Sequence, residues 1–143
     1  MQESKEKEKH IKIYCDGGAR GNPGKGACAF VVLKEGKVVI HEESKFLGNT
    51  TNNIAEYNGV ILALNWLKSN DRYSDVDFYL DSQLVVNQIN GVFKIKNKNL
   101  QECRILISNL EKSINGNINY HYIPREMNSV PDKLLNNNLD ENL

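Results

Sequence analysis

Four carboxylates stand where an acid does little for solubility and much for cation binding: Asp16, Glu56, Asp81 and Asp132. Asp16 closes the alternating stretch Ile11-Lys12-Ile13-Tyr14-Cys15, and Asp81 closes Asp75-Val76-Asp77-Phe78-Tyr79-Leu80. Both stretches have the two-residue period of a strand. Glu56 and Asp132 fall in the first turns of expected helices. If the two strands are neighbours, all four acids converge at one end of a sheet. Unneutralised, such a cluster repels itself and is costly to desolvate. Cations relieve it, and oxygen-only donors without Cys or His favour Mg²⁺ or Mn²⁺ over zinc. Mg²⁺ keeps waters and takes phosphate oxygens, so a phosphate substrate would complete its shell. Two such ions about 3.5–4 Å apart activate a water and stabilise a leaving oxygen, which is phosphodiester hydrolysis.

Three of the acids also have a structural reading. Asp16 can close its turn by an Asx hydrogen bond. Glu56, three residues after Asn53, can complete a capping box. Asp81 can be the anion favoured by the dipole of the following helix.

The elements that must hold these groups follow from pattern. A first strand is expected over about Ile11–Asp16. Four glycines and a proline within the next eight residues then read as a tight polar turn. Ala27-Cys28-Ala29-Phe30-Val31-Val32-Leu33 belongs to a returning strand over about Gly26–Leu33, and Lys34–Lys37 is a hairpin turn containing Gly36. Val38–Phe46 is a third strand. Thr50, Thr51, Asn52 and Asn53 are candidate N-caps for a helix whose apolar stripe is Ile54, Tyr57, Ile61, Leu64 and Leu67. After the Asp75–Leu80 strand, Ser82 caps a short helix that Gly91 closes. A further helix shows Leu100, Cys103, Ile107 and Leu110 on one face. A strand follows over Asn117–Ile123. Pro131 suits the first position of a last helix that buries Leu134, Leu135 and Leu139. The Asn-rich end, Asn136–Leu143, is expected to fray.

The totals set bounds. A chain of 143 residues is one domain, with residues 1–9 a charged, solvated leader and 10–143 the folded unit. No apolar run is long enough for a membrane span. Lys+Arg and Asp+Glu are 18 each, so any nucleic-acid binding must come from a local patch, with Lys94, Lys96 and Lys98 the candidates. Cys15, Cys28 and Cys103 lack metal-ligand spacing and read as reduced core thiols of a cytoplasmic protein, although a disulfide between Cys15 and Cys28 is open if their strands pair.

Taken together, Tyr14-Cys15-Asp16-Gly17-Gly18, Thr51-Asn52-Asn53-Ile54-Ala55-Glu56-Tyr57, Asp81-Ser82-Gln83-Leu84-Val85 and Arg125-Glu126-Met127-Asn128-Ser129-Val130-Pro131-Asp132 closely resemble ribonuclease H, type 1, in order and spacing from about Ile11 to Leu139. The resemblance implies an α/β ribonuclease H-like fold, a five-stranded mixed sheet of order 3-2-1-4-5 flanked by helices on both faces. It implies an endoribonuclease that cleaves the RNA strand of an RNA–DNA hybrid by a two-metal-ion mechanism, leaving 5′-phosphate and 3′-hydroxyl ends; nothing in the sequence indicates an obligate oligomer, so a monomer is expected. By resemblance Asp16, Glu56, Asp81 and Asp132 are the catalytic metal ligands, with two Mg²⁺ ions, or Mn²⁺. Asn22, Asn52 and Asn53 match minor-groove readers, whose amides suit base edges and 2′-hydroxyls. Thr51 and Asn97 match a DNA-phosphate pocket.

The chain departs from the family in three places. Only Ser82–Lys98 fills the interval in which many members carry a long Trp- and Lys-rich basic protrusion, so it resembles the compact subgroup. Pro124–Pro131 contains no match for the mobile catalytic-loop histidine, and His121 lies in the preceding strand. Arg125 or Glu126 is then the candidate for its work. Pro131 replaces the small residue usual before the last acid. Two other functions fit the same fold: a hybrid-binding module without catalysis, and a related nuclease acting on double-stranded RNA.

Overall fold

The computed structural model describes residues 10–143, so the expected leader lies outside the described residues. Its elements are β1 (His10–Gly21), β2 (Gly24–Lys34), β3 (Val38–Thr50), α1 (Asn52–Lys68), β4 (Asp75–Leu80), α2 (Gln83–Ile89), α3 (Lys98–Lys112), β5 (Asn117–Tyr122), a 3₁₀ turn (Arg125–Met127) and α4 (Ser129–Glu141). The order is the one the sequence pattern predicts, with the 3₁₀ turn added. The strands form one sheet, β3-β2-β1-β4-β5. β1–β2 and β2–β3 pair antiparallel, and β1–β4 and β4–β5 pair parallel.

β2 reads as a continuous apolar run because it is covered on both faces. On one side α1 and α3 close over Ile11, Ile13, Phe30, Val76 and Phe78. On the other, Leu135 and Leu139 of α4 pack on Ala27 and Ala29, with Phe46 and Leu134 alongside. Cys15 and Cys28 are buried and unpaired, and Cys103 is half-buried and free. No helix among the described residues is long and apolar enough to cross a membrane.

Several boundaries differ from the sequence reading, each for a local reason. The glycine-rich stretch is strand, not turn: β1 stays paired with β2 as far as Gly21↔Gly24, and only Asn22-Pro23 reverses the chain. Gly17 is glycine for space. A Cβ there would lie 2.1 Å from the Ala55 carbonyl oxygen of α1. Likewise β3 continues past Phe46 to Thr50, opposite Gly24. The N-cap of α1 is Thr51, whose Oγ1 accepts from Ile54 N at 3.3 Å, so Asn53 and Glu56 form no capping box. Glu56 is the fifth residue of α1 rather than part of its first turn. Pro131 is the third residue of α4, still early enough that its missing N–H costs no helical bond. The Asn-rich end is helical through Glu141 because Leu139 is buried and asparagines brace it. Asn138 donates to Ser44 Oγ at 3.1 Å, and Asn142 to the Asn138 carbonyl at 2.7 Å.

The site arises where the sheet splits. The parallel β1–β4 ladder ends at Tyr14↔Tyr79, while β1 runs on beside β2. β1 and β4 therefore diverge just past Tyr14, and Asp16 and Asp81 flank the crevice. In sheets with parallel strands this carboxyl-end crevice is where ligands bind.

Candidate active site

Asp16 alternates with Cys15 and Gly17 along β1, so it points away from the face that α1 covers. α1 lies against the strand at that point: a Cβ on Gly59 would be 2.9 Å from the Asp16 carbonyl oxygen. The close approach sets Glu56 beside Asp16. β4 ends one residue before Asp81, and Ser82 caps α2, its Oγ accepting from Val85 N at 3.2 Å. One carboxylate oxygen from each of Asp16, Glu56 and Asp81 lies within 4.8 Å of the others.

Asp16 and Glu56 are only 6% and 8% exposed. Burial, with repulsion from Asp81, pushes the Asp16 carboxyl up to about 7, against the opposing pull of Glu56 and the Gly17 N–H. Glu56 is raised well above the ordinary carboxyl range by burial and by the charges of Asp16 and Asp81, and Arg125 pulls it back. Glu56 Oε2 is buried with no hydrogen-bond partner among the described residues. The Gly17 N–H bond to Asp16 Oδ1, 2.9 Å, is a local bond inside a strand. An all-oxygen cluster with an orphaned buried acceptor fits a hard divalent cation.

These acids line a cleft of about 390 Å³ together with Asp132, Arg20, Asn52, Asn53, Ser82, Arg125 and Asn136. Asp132 is exposed on the cleft wall and stands outside the tight group of three. Asn136 Nδ2 holds its Oδ1 at 3.3 Å, and Arg20 Nη2 holds the Asn136 carbonyl at 3.3 Å and Asp140 at 2.7 Å. Arg125 lines the cleft and Glu126 does not. His121 is turned elsewhere, with Nε2 2.8 Å from Asp77 Oδ1.

A second cleft, about 250 Å³, is lined by Asn22, Thr51, Asn53, Ile54, Asn97, Asn99 and Leu100. Asn53 lines both clefts. Asn52 Oδ1 accepts from Ala19 N at 2.9 Å, and Asn22 Oδ1 accepts from Asn52 N at 3.0 Å. Among the described residues both amide nitrogens remain without a protein partner. Thr51 and Asn97 are also N-caps, Asn97 Oδ1 accepting from Leu100 N at 3.1 Å, so helix capping alone accounts for their presence. Sequence reasoning missed Arg20 and Asn136, which stand four residues after Asp16 and Asp132 but match no motif of their own. It also gave no role to Asn128, which is wholly buried beside Asp81.

The split sheet, its strand order and the carboxylate cluster define an α/β fold of the nuclease type. A family model described as Reverse transcriptase-like matches residues 14–137. The structure superposes on LC11-RNase H1, isolated from compost and solved in complex with an RNA/DNA hybrid, with a TM-score of 0.84, 40% identity and coverage of 89% of this chain and 94% of that one. It superposes on RNase H1 of the halophilic archaeon Halobacterium salinarum with a TM-score of 0.87, 30% identity and coverage of 92% and 98%. The chain belongs to the ribonuclease H, type 1 family. It is also 34% identical to the bifunctional protein Rv2228c of Mycobacterium tuberculosis, over 91% of this chain and 35% of that protein, so it spans about a third of the length of that relative.

Proposed function

We propose that residues 10–143 form a single catalytic unit that hydrolyses the RNA strand of RNA–DNA hybrids, leaving 5′-phosphate and 3′-hydroxyl ends. The observation that carries this is the group formed by buried Asp16 and Glu56 and half-buried Asp81 in a cleft that adjoins, through Asn53, a second cleft lined by Asn22, Thr51 and Asn97. Asp16, Glu56 and Asp81 would hold divalent cations, Mg²⁺ or Mn²⁺, with Asp132 contributing from the cleft wall. Bound there, two ions would supply Lewis acidity and an activated water for in-line displacement at phosphorus.

The chain's own residues do the rest. The unpartnered Nδ2 groups of Asn22 and Asn52 donate to minor-groove acceptors and 2′-hydroxyls, which mark the RNA strand. Thr51 and Asn97 present the second cleft to a phosphate of the DNA strand. Arg125 sits at the acid cluster and is the cation placed to meet a phosphate there, which fills the place left by the absent loop histidine. Its three free thiols favour the cytoplasm, and we read the protein as a monomer.

Cleavage of matched hybrid, double-stranded RNA and double-stranded DNA, each with Mg²⁺, Mn²⁺ or excess EDTA, tests this. Hybrid alone should be cut, and only with metal. Cutting of double-stranded RNA at a similar rate would move the protein to the other nuclease reading. Activity that survives EDTA would remove the metal assignment.

A further inference from the structure

Asn128 occupies the N-cap position of α4, yet its side chain caps nothing. It is 0% exposed, and its Nδ2 donates to the Cys15 carbonyl at 2.7 Å and to Asp81 Oδ2 at 3.1 Å. Both partners are acceptors, so the amide has one allowed orientation: reversed, Oδ1 would face a carbonyl and a carboxylate. That orientation leaves Oδ1 buried and, among the described residues, without a partner. An asparagine at this position ordinarily bonds its own helix. Here it forgoes that bond and accepts a buried, unpaired oxygen in order to hold an acid.

Resting on the metal reading above, we propose that Asn128 is a positioning residue for the cation site. One amide fixes the Asp81 carboxylate against the backbone of β1 next to Asp16, and it does so from the first residue of the segment that carries Asp132. Its two N–H bonds thereby index β1, the end of β4 and the start of α4 to one another. Outer partners that orient a ligating carboxylate commonly change metal affinity by about 10–100-fold when lost. A brace that served stability alone would lower the melting temperature and leave metal affinity unchanged.

Calorimetric titration of the folded protein with Mn²⁺ alone, beside melting in EDTA, separates the two. Asn128→Ala should weaken Mn²⁺ binding about tenfold or more. Asn128→Ser, which keeps one donor and is the variant to use if the alanine does not fold, should fall between. In an Asp81→Asn background the same change at Asn128 should have little further effect on Mn²⁺ affinity. Parental affinity in a folded Asn128→Ala or Asn128→Ser variant overturns the inference and leaves the metal site standing. Failure of the parent to bind Mn²⁺ overturns both.

Discussion

At the scale of single residues, the site stores repulsion that its cations would release. Asp16 is raised from 3.8 to about 7, so its folded form binds a proton that the unfolded chain has already lost. Below about pH 4 both states are protonated and the group is neutral to stability; between 4 and 7 stability falls as pH rises; above 7 the whole penalty is present. A rise of that size corresponds to on the order of 4 kcal/mol. Asp16→Asn keeps the oxygen that accepts from Gly17 and offers an N–H to Glu56, so it removes the penalty without removing the shape. In EDTA the variant should melt higher than the parent at pH 8, by a margin that shrinks to nothing near pH 4, and it should have lost hybrid cleavage. Asp81→Asn should also be inactive. Near-parental turnover in either variant, or a stability difference that does not grow with pH, would contradict these roles. The four acids were legible in the sequence because Asp16 and Asp81 each follow an alternating apolar run and all four stand in motifs with the family's order and spacing, although β1 runs on past Asp16 and Glu56 lies beyond the first turn of α1. Asn128 was not, because its importance lies in burial and partners from distant segments, and this chain is rich in asparagines that bond back to the carbonyl four residues earlier, as Asn58, Asn65, Asn70 and Asn136 do.

At the scale of elements, the site depends on how closely α1 is allowed to approach β1. Gly17 sets that distance. A methyl group there would meet the Ala55 carbonyl oxygen at 2.1 Å and the Glu56 N at 2.5 Å, and backbone cannot turn aside as a side chain can. Gly17→Ala should therefore push the helix outward, destabilise the fold by about 1–3 kcal/mol or more, and carry Glu56 away from Asp16. Urea denaturation reads the first effect, and Mn²⁺ titration of the folded fraction reads the second. Unchanged stability and metal affinity would show that the helix position is not what places Glu56. The order of strands and helices was plain from periodicity, and the sheet order came with the family resemblance. The length of β1 was obscured because glycines that serve close packing look the same, in a sequence, as glycines that make a turn. The helical end of α4 was obscured for the opposite reason: Asn136, Asn137 and Asn138 have weak helix propensity, and what overrides it is the burial of Leu135 and Leu139 against β2.

At the scale of the whole molecule, charge decides how substrate is held. With 18 basic and 18 acidic residues there is no general attraction to a polyanion, and the interval after Asp81 is filled by α2 and a short exposed stretch with Lys94, Lys96 and Lys98. The salt dependence of duplex binding has a slope of about −0.9 per phosphate contact. About three or four contacts, the number such a compact surface can offer, give a shallow dependence and weak binding. On the proposed function, specificity for the hybrid would rest on short-range donors, the amide nitrogens of Asn22 and Asn52 and the side chain of Asn53, and not on charge. Two sets of variants separate these contributions when binding is titrated against hybrid and DNA duplex with Ca²⁺ in place of the catalytic cation. Replacing Lys94, Lys96 and Lys98 together should flatten the slope and leave the ratio of hybrid to DNA affinity nearly unchanged. Asn52→Ala should lower that ratio and leave the slope intact. Its stability must be measured alongside, since the Asn52 oxygen also holds Ala19 N in β1. A steep parental slope, or a lysine triple variant with the parental slope, would place the basic surface elsewhere on the molecule.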